Sequence, residues 1–303
     1  MRAKRDVLRL ADLTTAELEQ VLALAARLKA ELRSGTPHPL LAGRTLAMIF
    51  EKPSLRTRVT FEVGMVQLGG AAIHLAPGDI RLGEREPATD IARNLERWCD
   101  VIMARVFLHR SVEELAGAAG IPVVNGLSDL HHPCQVLSDC FTLQERFGRL
   151  GGLKVAFIGD GNNMVHSWID AAARLGFSLA VACPTGYEPD EEIVGAGGDC
   201  VTVGHDVEAA ARDADVVYTD VWTSMGQEAE AAARRRAFRG YQVNAGVVAL
   251  AKPTALVMHC LPAHRGEEIT EDVLEGSQSV VFDQAENRLH VQKAILVWLL
   301  GAA

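Results

Sequence analysis

Residues 45–75, TLAMIFEKPSLRTRVTFEVGMVQLGGAAIHL, contain one complete unit of an alternating pattern. The apolar run Thr45–Phe50 has the length of a buried strand, the segment Thr57–Leu68 has a helical pattern, and a second apolar run follows at Ala72–Leu75. Short apolar runs that alternate with helical segments are typical of parallel sheets covered by helices. The stretch therefore predicts a β-α-β unit.

The same alternation continues on both sides of this unit. Thr14 and Glu17 form a T-x-x-E capping box that opens an amphipathic helix running to about Leu32. Further strands of the first half are predicted at Val101–Ala104 and Pro122–Asn125, and helices at Ala88–Cys99 and Ser111–Ala119.

A second series of strands begins after the glycine-bearing stretch Arg146–Gly152. Its strands are predicted at Lys154–Ile158, Ser178–Ala182, Cys200–Val203, Val216–Thr219, Leu256–Met258 and Val280–Phe282, and its closing helix at Ala285–Leu300. The pattern predicts an α/β fold with two doubly wound parallel-sheet domains, joined near a helix at Gln135–Phe147. Ligands of such sheets bind outside the carboxyl ends of the strands, so we expect the active site in the cleft between the domains.

The composition limits the possible partners. The chain of 303 residues has 49% hydrophobic and 23% charged residues and a formal net charge of −9, which excludes a disordered chain and argues against nucleic-acid binding. No apolar run approaches the roughly 18 residues of a membrane span, and the start MRAKRDVLRL lacks the apolar core of a signal peptide. Six cysteines without a C-x-x-C pair suggest reduced thiols. We expect a cytoplasmic protein with no membrane partner.

A candidate anion site follows the first strand. Ser54, Arg56 and Thr57 stand at the start of a predicted helix, where hydroxyls, a guanidinium group and free backbone N–H groups suit a phosphate. The alternative interpretation is a serine-capped helix with solvated arginines.

Two further residues follow strands of the same domain. Arg105 ends the third strand candidate, and His132 lies in the sequence His-Pro-Cys-Gln that ends at Gln135. Alternatively, Arg105 is a surface arginine and His132 a core histidine. Cys134 beside His132 lacks a second ligand pair at a workable spacing, so we expect no metal.

The sequence Gly159-Asp160-Gly161-Asn162-Asn163 raises the possibility of a dinucleotide site. The third glycine of that fingerprint is replaced by Met164, and no acidic residue follows the next strand candidate. We therefore interpret Asn163 as a hydrogen-bonding amide at a strand end.

Polar residues also follow two later strands. Asp220 is suited to hold a cationic amine, and Ser224 can add a hydrogen bond; the alternative role for Asp220 is capping of the next segment. Cys260 follows another strand, although free cysteines are often buried and inert.

Together these segments resemble the ornithine carbamoyltransferase family over nearly the whole chain. Ser54–Arg58 is similar to its S-T-R-T-R motif, His132–Gln135 to H-P-C-Q, Asp220–Gly226 to D-x-x-x-S-M-G and His259–Pro262 to H-C-L-P. Phe282–Arg288 resembles the family's C-terminal stretch. The five motifs stand in the family's order.

The resemblance implies a carbamoyl-phosphate-binding domain at 1–134, onto which the C-terminal helix 285–303 packs, and an ornithine-binding domain at 135–284. Catalytic roles are implied for Cys260, Asp220, Arg105 and His132. Carbamoyl phosphate would be bound by Ser54, Leu55, Arg56, Thr57, Arg81, Arg105, His132, Gln135, Cys260, Leu261 and Arg288, and ornithine by Asn163, Asp220, Ser224 and Met225. The expected substrates are thus carbamoyl phosphate and L-ornithine, with no cofactor and no metal.

The resemblance also implies a homotrimer, or a multiple of trimers, in which a loop near residue 81 enters the neighbouring site. The sequence departs from the family at two positions: Leu55 replaces the usual threonine, and Arg81 stands where many members have glutamine. The departure at Arg81 leaves its contact across subunits open.

Four alternatives differ from this reading in a recognisable way. An aspartate-dependent sister enzyme would carry H-P-L-P-R in place of His259–Ala263, and one using N-acetylornithine or putrescine would lack the S-M-G loop. A nicotinamide-dependent dehydrogenase is disfavoured by the broken glycine fingerprint. A non-catalytic binding protein of the same fold would be expected to have lost Cys260 or Arg105.

Overall fold

The computed structural model describes residues 4–83 and 85–302 and divides them into two compact units. Unit 1 contains the described residues up to Phe141 and those from Glu286 onwards, and unit 2 contains Thr142–Ala285. The family resemblance implies domain boundaries at 134/135 and 284/285.

Unit 1 has a four-stranded sheet in which every strand is parallel to its neighbours, in the order β2-β1-β3-β4. Its elements are α1 (Thr15–Arg33), β1 (Thr45–Phe50), α2 (Leu55–Gln67), β2 (Ala71–Leu75), α3 (Pro77–Ile80), α4 (Ala88–Leu95), β3 (Val101–Arg105), α5 (His109–Ala118), β4 (Val123–Leu127) and the first part of α6 (Pro133–Phe147). Helix α1 begins with the predicted capping box, since Thr14 and Glu17 bond reciprocally. The order reverses between β1 and β3, so their carboxyl ends flank a switch point.

Unit 2 has a five-stranded parallel sheet in the order β7-β6-β5-β8-β9. Its elements are β5 (Lys154–Ile158), α7 (Asn163–Leu175), β6 (Ser178–Ala182), α8 (Glu191–Gly197), β7 (Val201–Gly204), α9 (Val207–Ala211), β8 (Val216–Thr219), α10 (Ala231–Ala237), α11 (Ala245–Val248), β9 (Leu256–His259), α12 (Glu271–Leu274) and the start of α13 (Val281–Leu299). Here the order reverses between β5 and β8, where ligands of such sheets bind. The predicted α/β fold with two parallel sheets is confirmed.

The strand predicted at Val280–Phe282 is wrong. Ser279 forms a single parallel bridge with Val257, and the N–H of Val280 donates to the carbonyl of Val257 at 3.0 Å. The backbone then turns into α13, because Gln284 N–H already donates to Val280 O at 2.9 Å. A short apolar run has no periodicity that separates a strand from the first turn of a helix.

Each unit has its own apolar core. In unit 1 the core includes Ala47, Ile49, Ile91, Ile102, Leu115 and Val123. In unit 2 it includes Ala156, Ile158, Val217, Val257, Ile269 and Leu274. Within residues 4–83 and 85–302, no helix combines the length and the apolar character needed to cross a bilayer.

From Glu286 onwards helix α13 belongs to unit 1, where several of its polar side chains are buried. Lys29 Nζ donates to Asn287 Oδ1 at 2.7 Å, and Thr60 Oγ1 donates to Gln292 Oε1 at 2.6 Å. Lys293 Nζ donates to Gln67 Oε1 at 2.8 Å, and burial lowers the pKa of this lysine to about 8. These contacts fix the register of α13 against α1 and α2. They therefore also fix the position of Arg288, which lies one turn before Gln292.

Candidate functional site

The turn after β1 is hydrogen-bonded to the end of β3. Glu51 N–H donates to Arg105 O at 2.9 Å, and the Glu51 carboxylate accepts from Phe107 N–H at 2.6 Å. Ser54 then caps α2, because its hydroxyl accepts from Thr57 N–H at 3.2 Å. Ser54 is therefore the N-cap of α2, as one of the two interpretations predicted. The first turn of α2 lies at the switch point of the sheet.

Arg288 of α13 connects two other elements of unit 1. Its Nη2 donates to Thr57 Oγ1 and its Nη1 to Gln135 Oε1, both at 2.7 Å. Gln135 is oriented in turn by Asp139, whose Oδ1 accepts from Gln135 Nε2 at 2.8 Å. One guanidinium group thus joins the first turns of α2 and α6.

His132 lies among three guanidinium groups. The side chain is buried, and burial lowers its pKa well below the usual value, assisted by the charges of Arg288, Arg105 and Arg56. The imidazole is therefore neutral at physiological pH and can donate one hydrogen bond. We call Arg56, Arg105 and Arg288 the arginine cluster; with His132 it forms a concentration of positive charge suited to an anion.

Leu55 and Arg81 differ from the other predicted residues of unit 1. Leu55 is the first residue of α2, so its backbone N–H lies at the start of the helix. Its side chain is 75% exposed. Arg81 lies on an exposed turn after α3 with a left-handed φ of 48°. With the described residues, the Arg81 side chain forms no hydrogen bond or ion pair, and nothing joins it to the arginine cluster.

Asp220 is the centre of the polar groups in unit 2. It follows β8 and is 7% exposed. Its Oδ1 accepts from the Cys260 thiol at 3.0 Å and from Val221 N–H at 2.8 Å, and its Oδ2 accepts from Asn162 Nδ2 at 3.0 Å. The ends of β5, β8 and β9 are thereby joined at one carboxylate.

His259 orients the segment that carries Cys260. Its Nδ1 accepts from Leu261 N–H at 2.8 Å, so the ring proton lies on Nε2, 3.1 Å from Glu268 Oε1. Both side chains are fully buried. Leu261 has a left-handed φ of 58° and precedes a cis peptide bond to Pro262. The ring of His259 thus holds the backbone directly after the thiol.

Ser224 and Met225 lie in a loop, residues 221–230, between β8 and α10. Ser224 N–H donates to Gln227 Oε1 at 3.1 Å, and Ser224 O accepts from Gln227 N–H at 3.0 Å. Met225 is 44% exposed. Asn163 is the first residue of α7, and its carbonyl accepts from Ser167 Oγ at 3.0 Å.

Asn162 both caps α7 and donates to Asp220, and the sequence motifs did not predict it as a site residue. The N-cap spacing before an apolar helix was a usable signal for this residue. The neighbouring glycine has a packing role: a Cβ at Gly161 would lie 2.3 Å from Pro189 N. Close packing against residues 187–189 therefore explains why residue 161 is a glycine, and a dinucleotide site is not needed to explain it.

Two groups of described residues bring potential metal ligands within 4.8 Å of one another: Asp220, His259 and Cys260, and His264, Glu267 and Glu268. In the first group both ring nitrogens of His259 are engaged by Leu261 and Glu268, and the thiol of Cys260 already faces Asp220. Asp220, His259 and Cys260 therefore form part of a hydrogen-bonding network.

Comparison with known proteins identifies the family. The model of the carbamoyl-P binding domain of aspartate/ornithine carbamoyltransferases matches residues 5–145, and that of the Asp/Orn binding domain matches residues 151–299. The chain is 55% identical to a protein of Methanoculleus marisnigri named ornithine carbamoyltransferase, over 98% of this chain and 97% of that one. It is 52% identical to one of Pyrococcus furiosus named ornithine carbamoyltransferase, anabolic, over 99% and 97%.

The solved structure of ornithine carbamoyltransferase from Pyrococcus furiosus superimposes with a TM-score of 0.95 at 52% identity, covering 99% of this chain and 98% of that one. The resemblance seen in the sequence motifs is thereby confirmed. This chain belongs to the aspartate/ornithine carbamoyltransferase family.

Proposed function

We propose that the protein transfers the carbamoyl group of carbamoyl phosphate to the δ-amine of L-ornithine, giving L-citrulline and phosphate. The observation that carries this proposal is the buried His132 beside the arginine cluster, in which Arg288 donates to Gln135 Oε1 and Thr57 Oγ1, both at 2.7 Å. The names of the relatives support ornithine as the acceptor, and the anabolic relative supports a role in arginine biosynthesis.

The phosphate group is bound at the start of α2. Arg56 provides two parallel N–H donors, and Ser54 and Thr57 provide hydroxyls. Leu55 contributes its backbone N–H, which the positive end of the helix dipole makes a good anion donor. The lost hydroxyl of the family's usual threonine does not affect this backbone contact. Arg81 is a further candidate phosphate ligand.

The carbamoyl group lies between the other residues of the cluster. Arg105 and His132 donate to the carbonyl oxygen, where negative charge develops as the amine attacks. Gln135 and Arg288 complete this pocket within unit 1. The family resemblance also implies a role in carbamoyl-phosphate binding for Cys260 and Leu261. Because His132 is neutral, it donates without adding a fourth positive charge.

Ornithine is bound by Asn163, Asp220, Ser224 and Met225. An aliphatic amine has a pKa of about 10.4, so the δ-amine arrives protonated and must lose a proton before it attacks. Asp220 and Cys260, whose side chains lie 3.0 Å apart, are the acceptors available for that proton.

The chemical step forms one bond and breaks another. The δ-nitrogen attacks the carbamoyl carbon, the bond from that carbon to the phosphate oxygen breaks, and the nitrogen loses its remaining excess proton. The arginine cluster stabilises the departing phosphate. Carbamoyl phosphate is already activated, so the step requires neither a cofactor nor a metal. Exclusion of water protects it from hydrolysis.

An assay of citrulline formation tests this function. With carbamoyl phosphate present, we expect turnover of ornithine, and a kcat/KM at least about a hundredfold lower for N-acetylornithine, putrescine and aspartate. Turnover of one of these amines in preference to ornithine would assign the chain to a sister activity. Lack of turnover with every amine would contradict the proposal.

We also propose that the protein is a cytoplasmic homotrimer, or a multiple of trimers. The six cysteines are free, as expected in a reducing compartment. An apolar stripe on α2 and the adjacent edge strand β2 supports contact between copies. Its members are exposed and apolar: Leu55, Val59, Val63, Val66 and Ile73.

Val66→Glu is expected to convert the trimer to monomers, because a charge in the centre of an apolar interface is unpaired on association. Light scattering measures the mass. The side chain is 70% exposed in the isolated chain, so its thermal stability as a monomer should change little. Val66→Thr, which keeps the shape, is the matched control. A wild-type monomer with full activity would rule out the assembly.

A further inference from the structure

We propose that Arg234 is a positioning residue for ornithine, because it fixes the 221–230 loop to the end of strand β5 through Asp160. The inference rests on the proposed function, since this loop carries Ser224 and Met225. Arg234 lies on α10, which begins directly after the loop.

Arg234 contacts both ends of the loop and the neighbouring strand end. Its Nη1 donates to Asp160 Oδ2 at 2.8 Å and to Trp222 O at 3.0 Å, and its Nε donates to Glu230 Oε2 at 3.1 Å. The side chains of Arg234 and Asp160 are each 8% exposed. We call Arg234, Asp160, Trp222 and Glu230 the Arg234 network.

The guanidinium group lies over one aromatic ring, which belongs to a cluster of three packed rings. Its Cζ lies 5.0 Å from the centre of the Tyr187 ring, and Trp222 stacks on Phe238 at 5.7 Å. The Tyr187 ring packs edge-on against Phe238 at 4.9 Å. A planar guanidinium group suits this environment, whereas the ammonium group of lysine would not make the same forked contacts.

The loop between these anchors has mainly local hydrogen bonds. Gly226 N–H donates to Glu228, and Ser224 exchanges two bonds with Gln227. Met225 and Gly226 are exposed. Because such bonds move with the loop, its position relative to the sheet depends on the anchors at its ends.

The Arg234 network shares one turn with the Asp220 network. Asp160 lies two residues before Asn162, whose amide donates to Asp220. A loss of the Arg234–Asp160 contact therefore disturbs both the loop with Ser224 and the turn that orients Asp220. Both changes lie on the side of the ornithine contacts, so ornithine binding should suffer more than the chemical step.

The charge of Asp160 provides a second readout. Burial raises the pKa of its carboxyl to about 6, opposed by Arg234 and assisted by the charges of Asp220 and Glu230. Protonation of Asp160 below pH 6 removes the charge that Arg234 contacts. The KM for ornithine should therefore rise as the pH falls through about 6.

Arg234→Gln is expected to raise the KM for ornithine about tenfold or more, with kcat changed less than threefold and the KM for carbamoyl phosphate unchanged. Arg234→Lys should give a KM for ornithine between those of the wild type and Arg234→Gln. It is the variant to measure if Arg234→Gln does not fold. Arg235→Gln is the matched control, because Arg235 lies next on α10 but is exposed and forms an ion pair with Glu267 at 3.0 Å.

Asp160→Asn should raise the ornithine KM like Arg234→Gln, and the double variant should be no worse than either single variant, because both remove the same contact. In Asp160→Asn the acid-side rise of KM should disappear. Additive effects, an unchanged ornithine KM in Arg234→Gln, or equal effects in Arg235→Gln would overturn the proposal.

Hydrogen exchange without substrates separates this inference from the proposed function. In Arg234→Gln, or in Arg234→Lys if that variant alone folds, the amides of residues 223–230 should exchange faster than in the wild type, while those of β1 and β3 stay protected. Unchanged exchange in the loop would refute its anchoring by Arg234, whatever the wild type catalyses. Absence of citrulline formation in the wild type would instead refute the proposed function.

Discussion

Replacement of Arg56 by alanine is expected to weaken the binding of carbamoyl phosphate and of inorganic phosphate about a hundredfold or more. Arg56 lies in the first turn of α2, where the helix start is already positive. It is also one of the three arginines whose charge lowers the pKa of His132, so its positive charge acts on the buried histidine of the same unit.

The size of this effect follows from the number of charged hydrogen bonds lost. Each contributes about 1.5–3 kcal/mol, and a guanidinium group can make two with one phosphate. A factor of ten in affinity corresponds to about 1.4 kcal/mol. The fold should persist, because Arg56 is half-buried at a helix start and belongs to neither apolar core.

Calorimetric titration with phosphate and with carbamoyl phosphate measures the effect. Arg58→Ala is the matched control on the same helix, since Arg58 is exposed and pairs with Glu62 at 3.3 Å. The control should keep wild-type affinity. If Arg56→Ala binds phosphate as tightly as the control does, the anion site is elsewhere.

Many of the candidate site residues of each unit could be proposed from the sequence because they follow strands. The apolar runs β1, β3, β5, β8 and β9 are short and separated by helical patterns, which local sequence reveals. Parallel strands bring their carboxyl ends to one edge of a sheet. Arg105 and Asp220 were therefore recognisable from position alone.

Contacts between distant segments could not be predicted in this way. Arg288 reaches Thr57 across 231 residues and Gln135 across 153, and Arg234 reaches Asp160 across 74. Nothing local to Arg234 distinguishes it from Arg235, which is exposed one residue later. The partner of each arginine is decided by helix packing, which propensity does not encode.

Asn162 shows a second kind of difficulty. Two asparagines stand side by side after β5, and the sequence predicts Asn163 as the hydrogen-bonding amide. In the structure Asn162 is the N-cap and contacts Asp220, while Asn163 begins α7. A shift of one residue at a helix start turns the side chain to another direction, and helix boundaries are the least certain part of a sequence-based prediction.

Replacement of Asp220 by asparagine is expected to lower kcat/KM for ornithine about a hundredfold or more and to leave carbamoyl-phosphate affinity within about twofold of the wild type. The substitution keeps the shape of the side chain but removes its charge. Asp220 is nearly buried and accepts hydrogen bonds from Cys260, Val221 and Asn162. The side-chain amide of an asparagine at this position would point its own N–H groups at one of these three hydrogen-bond donors.

The charge of Asp220 also predicts which of two amine substrates, ornithine or N-acetylornithine, the protein prefers. A cationic nitrogen of ornithine, either the α-amine or the δ-amine, pairs with Asp220 in the proposed complex. Acetylation of the α-nitrogen removes a charge and adds bulk, and an uncompensated buried charge costs several kcal/mol. The wild type should therefore use N-acetylornithine about a hundredfold less efficiently than ornithine.

Steady-state kinetics of the wild type with both amines, and of Asp220→Asn with ornithine, test this assignment. Asp199→Asn is the matched control, because Asp199 is an exposed aspartate of the same unit, and it should behave as the wild type. Calorimetry with carbamoyl phosphate shows whether the loss is confined to the ornithine side. A wild-type preference for the acetylated amine, or wild-type efficiency in Asp220→Asn, would show that this carboxylate does not bind the amine substrate.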